Sequence, residues 1–282
     1  MNIKLVILGN GFIGQRLGKE LSCPISTRPI SSFEDVESVI EEHRSNVLIN
    51  CIGFVGKNSV DECEGNRSKT LFANTYIPIL LAEVAFRYNV KLVHLSSGCI
   101  YHYDYGNDSP ISETEIPNFF NLYYSRTKIY SEAMLKTLNN FANILILRIR
   151  IPLDDRPHQK NLLTKLIKYQ KVLNIANSIT YIPDFIKAVK HLLAINATGV
   201  FNTVNDGALQ YSRLLDIYKH YVTDFNYSII DYKTLGLVRT NLILSVNKLK
   251  ASGFSIRNID NVCEECVTNY LEYEKCLAQA GA

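Results

Sequence analysis

No apolar run in the 282-residue chain approaches the roughly 20 residues that a membrane-spanning helix requires, so no membrane partner is expected. Charge of either sign is scarcely in excess. Thirty Lys and Arg stand against 27 Asp and Glu, a net +3, and no basic run interleaves with aromatic residues. Both features argue against nucleic acid as a partner. Met1-Asn2-Ile3-Lys4 leads into an apolar run and a glycine turn without a signal-peptide cleavage pattern, so a cytoplasmic protein is expected. The seven cysteines (Cys23, Cys51, Cys63, Cys99, Cys263, Cys266 and Cys276) are an odd, scattered set, unlike a disulfide framework. Cys263-x-x-Cys266 lacks a second pair and nearby histidines, so no metal site is expected and both read as helix residues. Repeats, low-complexity tracts and flexible linkers are missing too. The 47% of hydrophobic residues suffices for one large or two moderate cores.

The chain opens with a short apolar strand over 3–8, then Gly9-Asn10-Gly11-Phe12-Ile13-Gly14, then a helical stretch over 15–21. G-x-G-x-x-G in a strand-turn-helix setting is the signature of a dinucleotide site. Gly9 permits the tight turn, Gly11 lets the backbone approach a pyrophosphate, and Gly14 allows close helix–strand packing. A glycine-rich structural turn is the alternative. An NAD-preferring site carries an acidic residue near the end of the second strand to bind the ribose 2′-hydroxyl. Between Gly14 and Arg28 the only acid is Glu20, inside the first helix. Arg28 suits a 2′-phosphate instead, which favours NADPH (NADP); a surface loop arginine is the bland alternative.

Further on, a helix is expected over 32–44 and a buried third strand over 46–51. Cys51 and Gly53 end that strand where a parallel sheet meets the cofactor. A long helix over 71–88 is expected to bend near Pro78. The fourth strand spans 91–96, its helix 124–141, and a fifth strand 143–149. This alternation implies right-handed crossovers and an α/β, doubly wound parallel sheet. The expected division is a cofactor domain over 1–152, with a returning strand near 199–204, and a mainly substrate-binding domain over 153–282.

The stretch 94–128 holds the candidate chemistry: His94-Leu-Ser-Ser-Gly-Cys-Ile-Tyr101, a polar loop, then Tyr124-Ser-Arg-Thr-Lys128. Tyr124 and Lys128 are four apart, hence neighbours on one helix face. An ammonium beside a phenol favours the phenolate and pulls the tyrosine down from about 10. Such a tyrosine hands a proton to a carbonyl oxygen as hydride reaches the carbon. Ser97, after an apolar strand, offers that oxygen a second hydrogen bond. An ordinary solvated Tyr–Lys pair is the alternative for the motif taken alone, and His94 reads as a satisfied core histidine.

The glycine turn, S-S-G-C-I-Y at 96–101, Y-S-R-T-K at 124–128 and L-R-I-R-I-P at 147–152 together resemble the extended short-chain dehydrogenase/reductase superfamily. Within it the chain resembles enzymes that finish 6-deoxyhexose nucleotide sugars, in particular the bifunctional 3,5-epimerase/4-reductases of UDP-rhamnose synthesis. N-x-V-D-x-C-E at 58–64, P-N-F at 117–119, N-x-x-T-K at 161–165 and G-V-F-N at 199–202 extend the likeness over nearly the whole chain. The resemblance implies NADPH-dependent reduction of a 4-keto nucleotide sugar after inversion at C3 and C5. It implies Cys99 as the epimerisation base and Lys165 as the acid, with His158, Lys160 and Lys168 as competitors. It implies Asn74, Tyr101 and Arg239 near the substrate, and a homodimer by analogy alone. Each has a plainer counterpart: a small core cysteine, a solvated lysine, a packing or capping Asn74, a surface arginine. Two other readings stand beside it. One is a reductase only, like dTDP-4-dehydrorhamnose reductase; the other is a non-catalytic NADP-binding regulatory subunit.

Overall fold

Apolar runs without polar alternation, such as Leu5–Leu8 and the first three residues of Val47–Asn50, are what a strand covered on both faces requires. The computed structural model describes residues 3–231 and 238–280. In chain order its elements are β1 (Leu5–Leu8), α1 (Phe12–Leu21), β2 (Ile25–Ser26), α2 (Phe33–His43), β3 (Val47–Asn50), α3 (Glu62–Gly65) and α4 (Arg67–Leu71). A π-helical turn (Phe72–Tyr76) leads into α5 (Ile77–Arg87), followed by β4 (Lys91–Ser97), α6 (Tyr123–Leu138) and β5 (Ile144–Ile149). Next come β6 (Pro152–Leu153), α7 (Leu162–Tyr169), β7 (Lys171–Leu173), β8 (Thr180–Tyr181), α8 (Ile182–Ala194) and β9 (Gly199–Asn202). The chain continues through α9 (Tyr211–Tyr221), β10 (Ser228–Ile230), α10 (Asn247–Ala251) and α11 (Cys263–Ala280).

Two compact units result. The first comprises Met1–Tyr101, Ile116–Arg148 and Lys190–Phe201. Its sheet has the order β2-β1-β3-β4-β5-β9, and β2, β1, β3 and β4 pair in parallel. This is the α/β parallel architecture that the strand–helix alternation implies. The order turns back at β1, between β2 and β3, so the carboxyl ends of β1 and β3 flank the crevice where such sheets bind ligands. Val6, Leu8 and Leu48 from the strands pack with Val36, Leu81 and Ala85 from the helices in one core.

Local chemistry sets the helix ends. Ser32 and Asp35 form a reciprocal capping box at the start of α2. The expected bend at Pro78 is instead a π-helical turn. Pro78 has no N–H for the carbonyl of Asn74, and the helix widens so that Ile77 donates to Phe72, five residues back.

The second unit comprises His102–Glu115, Ile149–Val189 and Asn202–Ala282. Among its described residues are two small sheets, β6 with β8 and β7 with β10, both parallel. Leu163, Leu166, Leu214, Leu215, Val262 and Val267 form its core from α7, α9, the 3-10 turn Ile259–Val262 and the start of α11. Cys263 and Cys266 lie in that core, their thiols directed to the carbonyls of Ile259 and Asp154 at 3.2 and 3.4 Å. Among the described residues no helix is long and apolar enough to cross a membrane.

Candidate active site

The glycine turn is held by sterics that only glycine meets at two of its three positions. Gly9 has φ +104°, and a Cβ there would stand 2.8 Å from the backbone of Cys51 and Ile52. A Cβ on Gly14 would stand 2.0 Å from the Gly9 carbonyl oxygen. Gly11 differs: nothing lies within 4 Å of its missing Cβ. The protein's own packing therefore does not require glycine at Gly11, whereas a phosphate drawn close to the backbone does. Gly11 is also the N-cap of α1, with no side-chain cap and no acid in the first turn, which suits an anion. Asn10 is exposed, Ile13 half-buried and Phe12 buried. Arg28, just beyond β2, has an exposed guanidinium whose Nη2 lies 3.6 Å from Glu42 Oε2.

The end of β3 and the helix α6 meet at Lys128. Its side chain is buried, and Nζ donates to the Leu95 carbonyl at 3.2 Å. A Cβ on Gly53 would stand 3.8 Å from that Nζ and 3.3 Å from Asn74 Oδ1. Burial pushes the Lys128 ammonium down to about 8, against the opposing pull of Glu132 and Cys51. Burial likewise pushes the Cys51 thiol up to about 12, so this cysteine is an inert part of the floor. Asn74 is fully buried on the π-helical turn. Its Oδ1 accepts the Phe54 N–H at 2.7 Å, and its amide donates to the Phe54 carbonyl at 2.9 Å and to Thr127 Oγ1 at 3.3 Å. Asn74 thus fixes the loop after Gly53 against α6.

Beneath this loop Asn50 faces His94 across the β3–β4 register. Asn50 Oδ1 accepts the Ile52 N–H at 2.9 Å, so its amide donates to His94 Nδ1 at 3.0 Å. Burial and the Lys128 charge hold His94 well below the ordinary imidazole range, and it is a neutral core histidine.

At the end of β4 the Cys99 N–H donates to Ser97 Oγ at 3.1 Å. The hydroxyl oxygen is thereby fixed, and its own proton stays available to an acceptor. Ser97 is buried, Cys99 half-buried, and Tyr124 is 8% exposed as the second residue of α6. Tyr101 is buried, with the Arg148 guanidinium 5.3 Å from its ring centre.

The second unit carries its own cationic group. Asn161 caps α7, accepting from Leu163, and ties down the preceding loop through Asp154 and Arg156. That loop presents His158 and Lys160, and α7 presents half-buried Lys165. Burial, with Lys160 adding to it, lowers Lys165; burial together with Lys160 and Lys165 lowers His158. Lys168 is exposed. Arg239 is half-buried, and its Nη1 donates to the Val238 carbonyl at 2.8 Å.

The model of the RmlD substrate binding domain matches residues 4–207. The chain belongs to the RmlD substrate-binding domain family. A bifunctional dTDP-4-dehydrorhamnose 3,5-epimerase/dTDP-4-dehydrorhamnose reductase of Arabidopsis thaliana is 30% identical over 255 residues, 85% of this chain and 84% of that protein. Among solved structures, the L780 UDP-rhamnose synthase of Acanthamoeba polyphaga mimivirus superposes with a TM-score of 0.87 at 24% identity. It covers 95% of this chain and 100% of that one. A dTDP-4-dehydrorhamnose reductase of Bacillus anthracis, in complex with NADP, gives 0.80 at 20% identity over 94% and 97% of the two chains. These likenesses extend the shared fold over about 95% of the chain.

The contacts of three residues were not legible in the motifs. Glu132 accepts from Arg148 Nε at 3.0 Å and from the Ser96 hydroxyl at 3.1 Å, both deep in the first unit. Arg150 donates to Asn177 Oδ1 at 2.8 Å and Thr240 Oγ1 at 3.0 Å in the second. Glu64 accepts the Tyr123 N–H at 2.6 Å. Two arginines inside the apolar L-R-I-R-I-P strand were the available signal, since a buried guanidinium demands acceptors.

Proposed function

We propose that the chain is an NADPH-dependent 4-keto-reductase of a 6-deoxy nucleotide sugar that also inverts C3 and C5 in the same site. It would convert UDP-4-keto-6-deoxy-D-glucose to UDP-L-rhamnose. The observation that carries this reading is Lys128, buried beneath Gly53 and one helical turn from Tyr124. A dinucleotide fits the residues present: Gly9, Asn10, Gly11, Phe12, Ile13 and Gly14 cradle its phosphates, and Arg28 is available to a 2′-phosphate. Cys51, Gly53 and Lys128 form its floor. NADPH, when bound, supplies the hydride for C4.

The chain's own groups handle the proton. Tyr124 gives its phenolic proton to the C4 oxygen, and the Lys128 charge eases that loss. Ser97 donates to the same oxygen. For epimerisation, the C4 ketone acidifies the hydrogens on C3 and C5, because the carbanion delocalises into an enolate. Ser97 and Tyr124 stabilise its oxygen. Cys99 takes the proton on one face and Lys165 returns one on the other. The lowered pKa of Lys165 makes it a readier donor near neutral pH. Asn74 and Tyr101 act as positioning groups, consistent with their burial, and Arg239 serves the nucleotide diphosphate.

Residues 1–152, with the strand at 199–204, serve the cofactor in this proposal, and 153–282 mainly the sugar. The seven free cysteines suit a reducing, cytoplasmic setting, and homodimer pairing belongs to the same reading. The test is NADPH oxidation with UDP-4-keto-6-deoxyglucose, for the unaltered chain and for Tyr124→Phe. Turnover that falls roughly 10²–10⁴-fold in the variant, with NADPH still bound, supports the assignment. No turnover by the unaltered chain points to a binding protein, and a fully active variant removes Tyr124 from the chemistry.

A further inference from the structure

The helix that carries Tyr124 and Lys128 starts without a cap of its own. Its N-cap position is Leu122, whose side chain has no acceptor, and its first turn contains no acid. The opening N–H groups of such a helix need partners from elsewhere. One comes from 59 residues earlier, where Glu64 Oε1 accepts the Tyr123 N–H at 2.6 Å. A carboxylate at this end is favoured by the helix dipole and makes a charge-assisted bond.

The contact belongs to a clamp around one residue. Glu64 Oε2 lies 3.4 Å from Arg67 Nη2 and 4.0 Å from Arg126 Nη2. Those two guanidiniums stand 5.6 and 5.2 Å from the centre of the Tyr123 ring. Arg126 Nη1 also donates to the Phe120 carbonyl at 3.1 Å, fixing the chain just before the helix.

The short α3 that carries Glu64 is anchored in turn. Glu62 accepts the N–H groups of Lys57 and Asn58 at 2.8 and 2.9 Å. The Cys63 thiol is directed to the Phe54 carbonyl at 3.7 Å, the same group that Asn74 grips. The loop after Gly53 and the first turn of α6 are therefore fastened to each other through α3.

We propose that Glu64 is a positioning residue, which caps α6 from α3 and so registers the Tyr124 hydroxyl against the Gly53 loop. The inference rests on the reading of Tyr124 as proton donor. Displacement of a reacting group by about 1 Å costs up to roughly 10²-fold in rate, and a loosened first turn permits that.

The experiment measures ketone reduction with UDP-4-keto-6-deoxyglucose, and NADPH binding by fluorescence titration, in Glu64→Ala, Glu64→Gln and Tyr124→Phe. Glu64→Ala is expected to lower kcat by about 10–100-fold with the Kd for NADPH within about twofold. Glu64→Gln keeps an acceptor oxygen and is expected to recover most of that loss, which a general packing role does not produce. In a Tyr124→Phe background, Glu64→Ala should cost nothing further, because the group it positions is gone. Unchanged kcat in Glu64→Ala, or an equal further loss in the double variant, overturns the proposal. Should the alanine variant not fold, Glu64→Asp reads the same relationship: an intermediate kcat supports it and a full rate overturns it. Full activity in Tyr124→Phe removes the proton-donor reading itself, and the proposal with it, whatever Glu64→Ala does.

Discussion

Glu132 and Arg148 form an ion pair with both side chains essentially out of water, Arg148 Nε standing 3.0 Å from Glu132 Oε2. It joins β5 to α6 one turn beyond Lys128, and Ser96 from β4 donates to the same carboxylate. The helix that presents Tyr124 is thus fixed at two places, by Glu64 at its start and by this pair in its middle.

Glu132→Gln leaves the Arg148 guanidinium buried without a full counter-charge. Loss of one partner of a buried pair costs about 3–5 kcal/mol, so urea unfolding should show a deficit of that order. The double variant Glu132→Gln/Arg148→Met should recover much of it. A single variant within about 0.5 kcal/mol of the unaltered chain contradicts this account.

Lys128 ties stability to pH. Burial lowers it from 10.5 to about 8 in the fold, so between those values the unfolded chain holds a proton that the folded chain does not. Its contribution is therefore fully present above about 10.5 and is lost as pH falls through about 8, an effect of up to about 3 kcal/mol. Chemical denaturation from pH 7 to 10 should show the unaltered chain gaining stability relative to Lys128→Met. A constant difference across that range contradicts the shift.

Arg28 pairs with Glu42 at 3.6 Å on the surface, an interaction worth little to the fold. Arg28→Ala should leave unfolding within about 0.5 kcal/mol while weakening NADPH selectively, with NADH use nearly unchanged. Equal losses with both cofactors remove the 2′-phosphate contact.

The glycine turn was legible because its demands are backbone demands. A φ of +104° at Gly9 and a 2.0 Å clash at Gly14 can be met only by glycine, so they leave a trace in the residue types themselves. The parallel sheet was legible for a similar reason, since strands buried on both faces need unbroken apolar runs. Tyr124 and Lys128 came from local helical spacing. What stayed hidden depends on contacts far apart in sequence. Glu64 stands in the sequence only as the last residue of N-x-V-D-x-C-E, with no partner indicated, until the fold sets it at the start of α6. The grip of Asn74 on the Phe54 backbone depends on the π-helical turn before Pro78, which the sequence pattern did not indicate.

Cys99 and Lys165 separate the two proposed chemistries. Cys99→Ala should abolish solvent-deuterium incorporation at C3 and C5 yet still reduce an already epimerised 4-keto sugar. Lys165→Ala should allow exchange on the face served by Cys99 with little inversion, an asymmetry that general loss of folding or binding cannot produce. Full exchange and inversion in Cys99→Ala would leave a plain 4-keto-reductase.

The most direct measurement is NMR of the product formed by the unaltered chain from UDP-4-keto-6-deoxyglucose and NADPH in deuterium oxide. The expected product is UDP-L-rhamnose carrying deuterium at both C3 and C5 and protium from NADPH at C4. A reduced sugar of unchanged configuration at C3 and C5, without deuterium there, contradicts it.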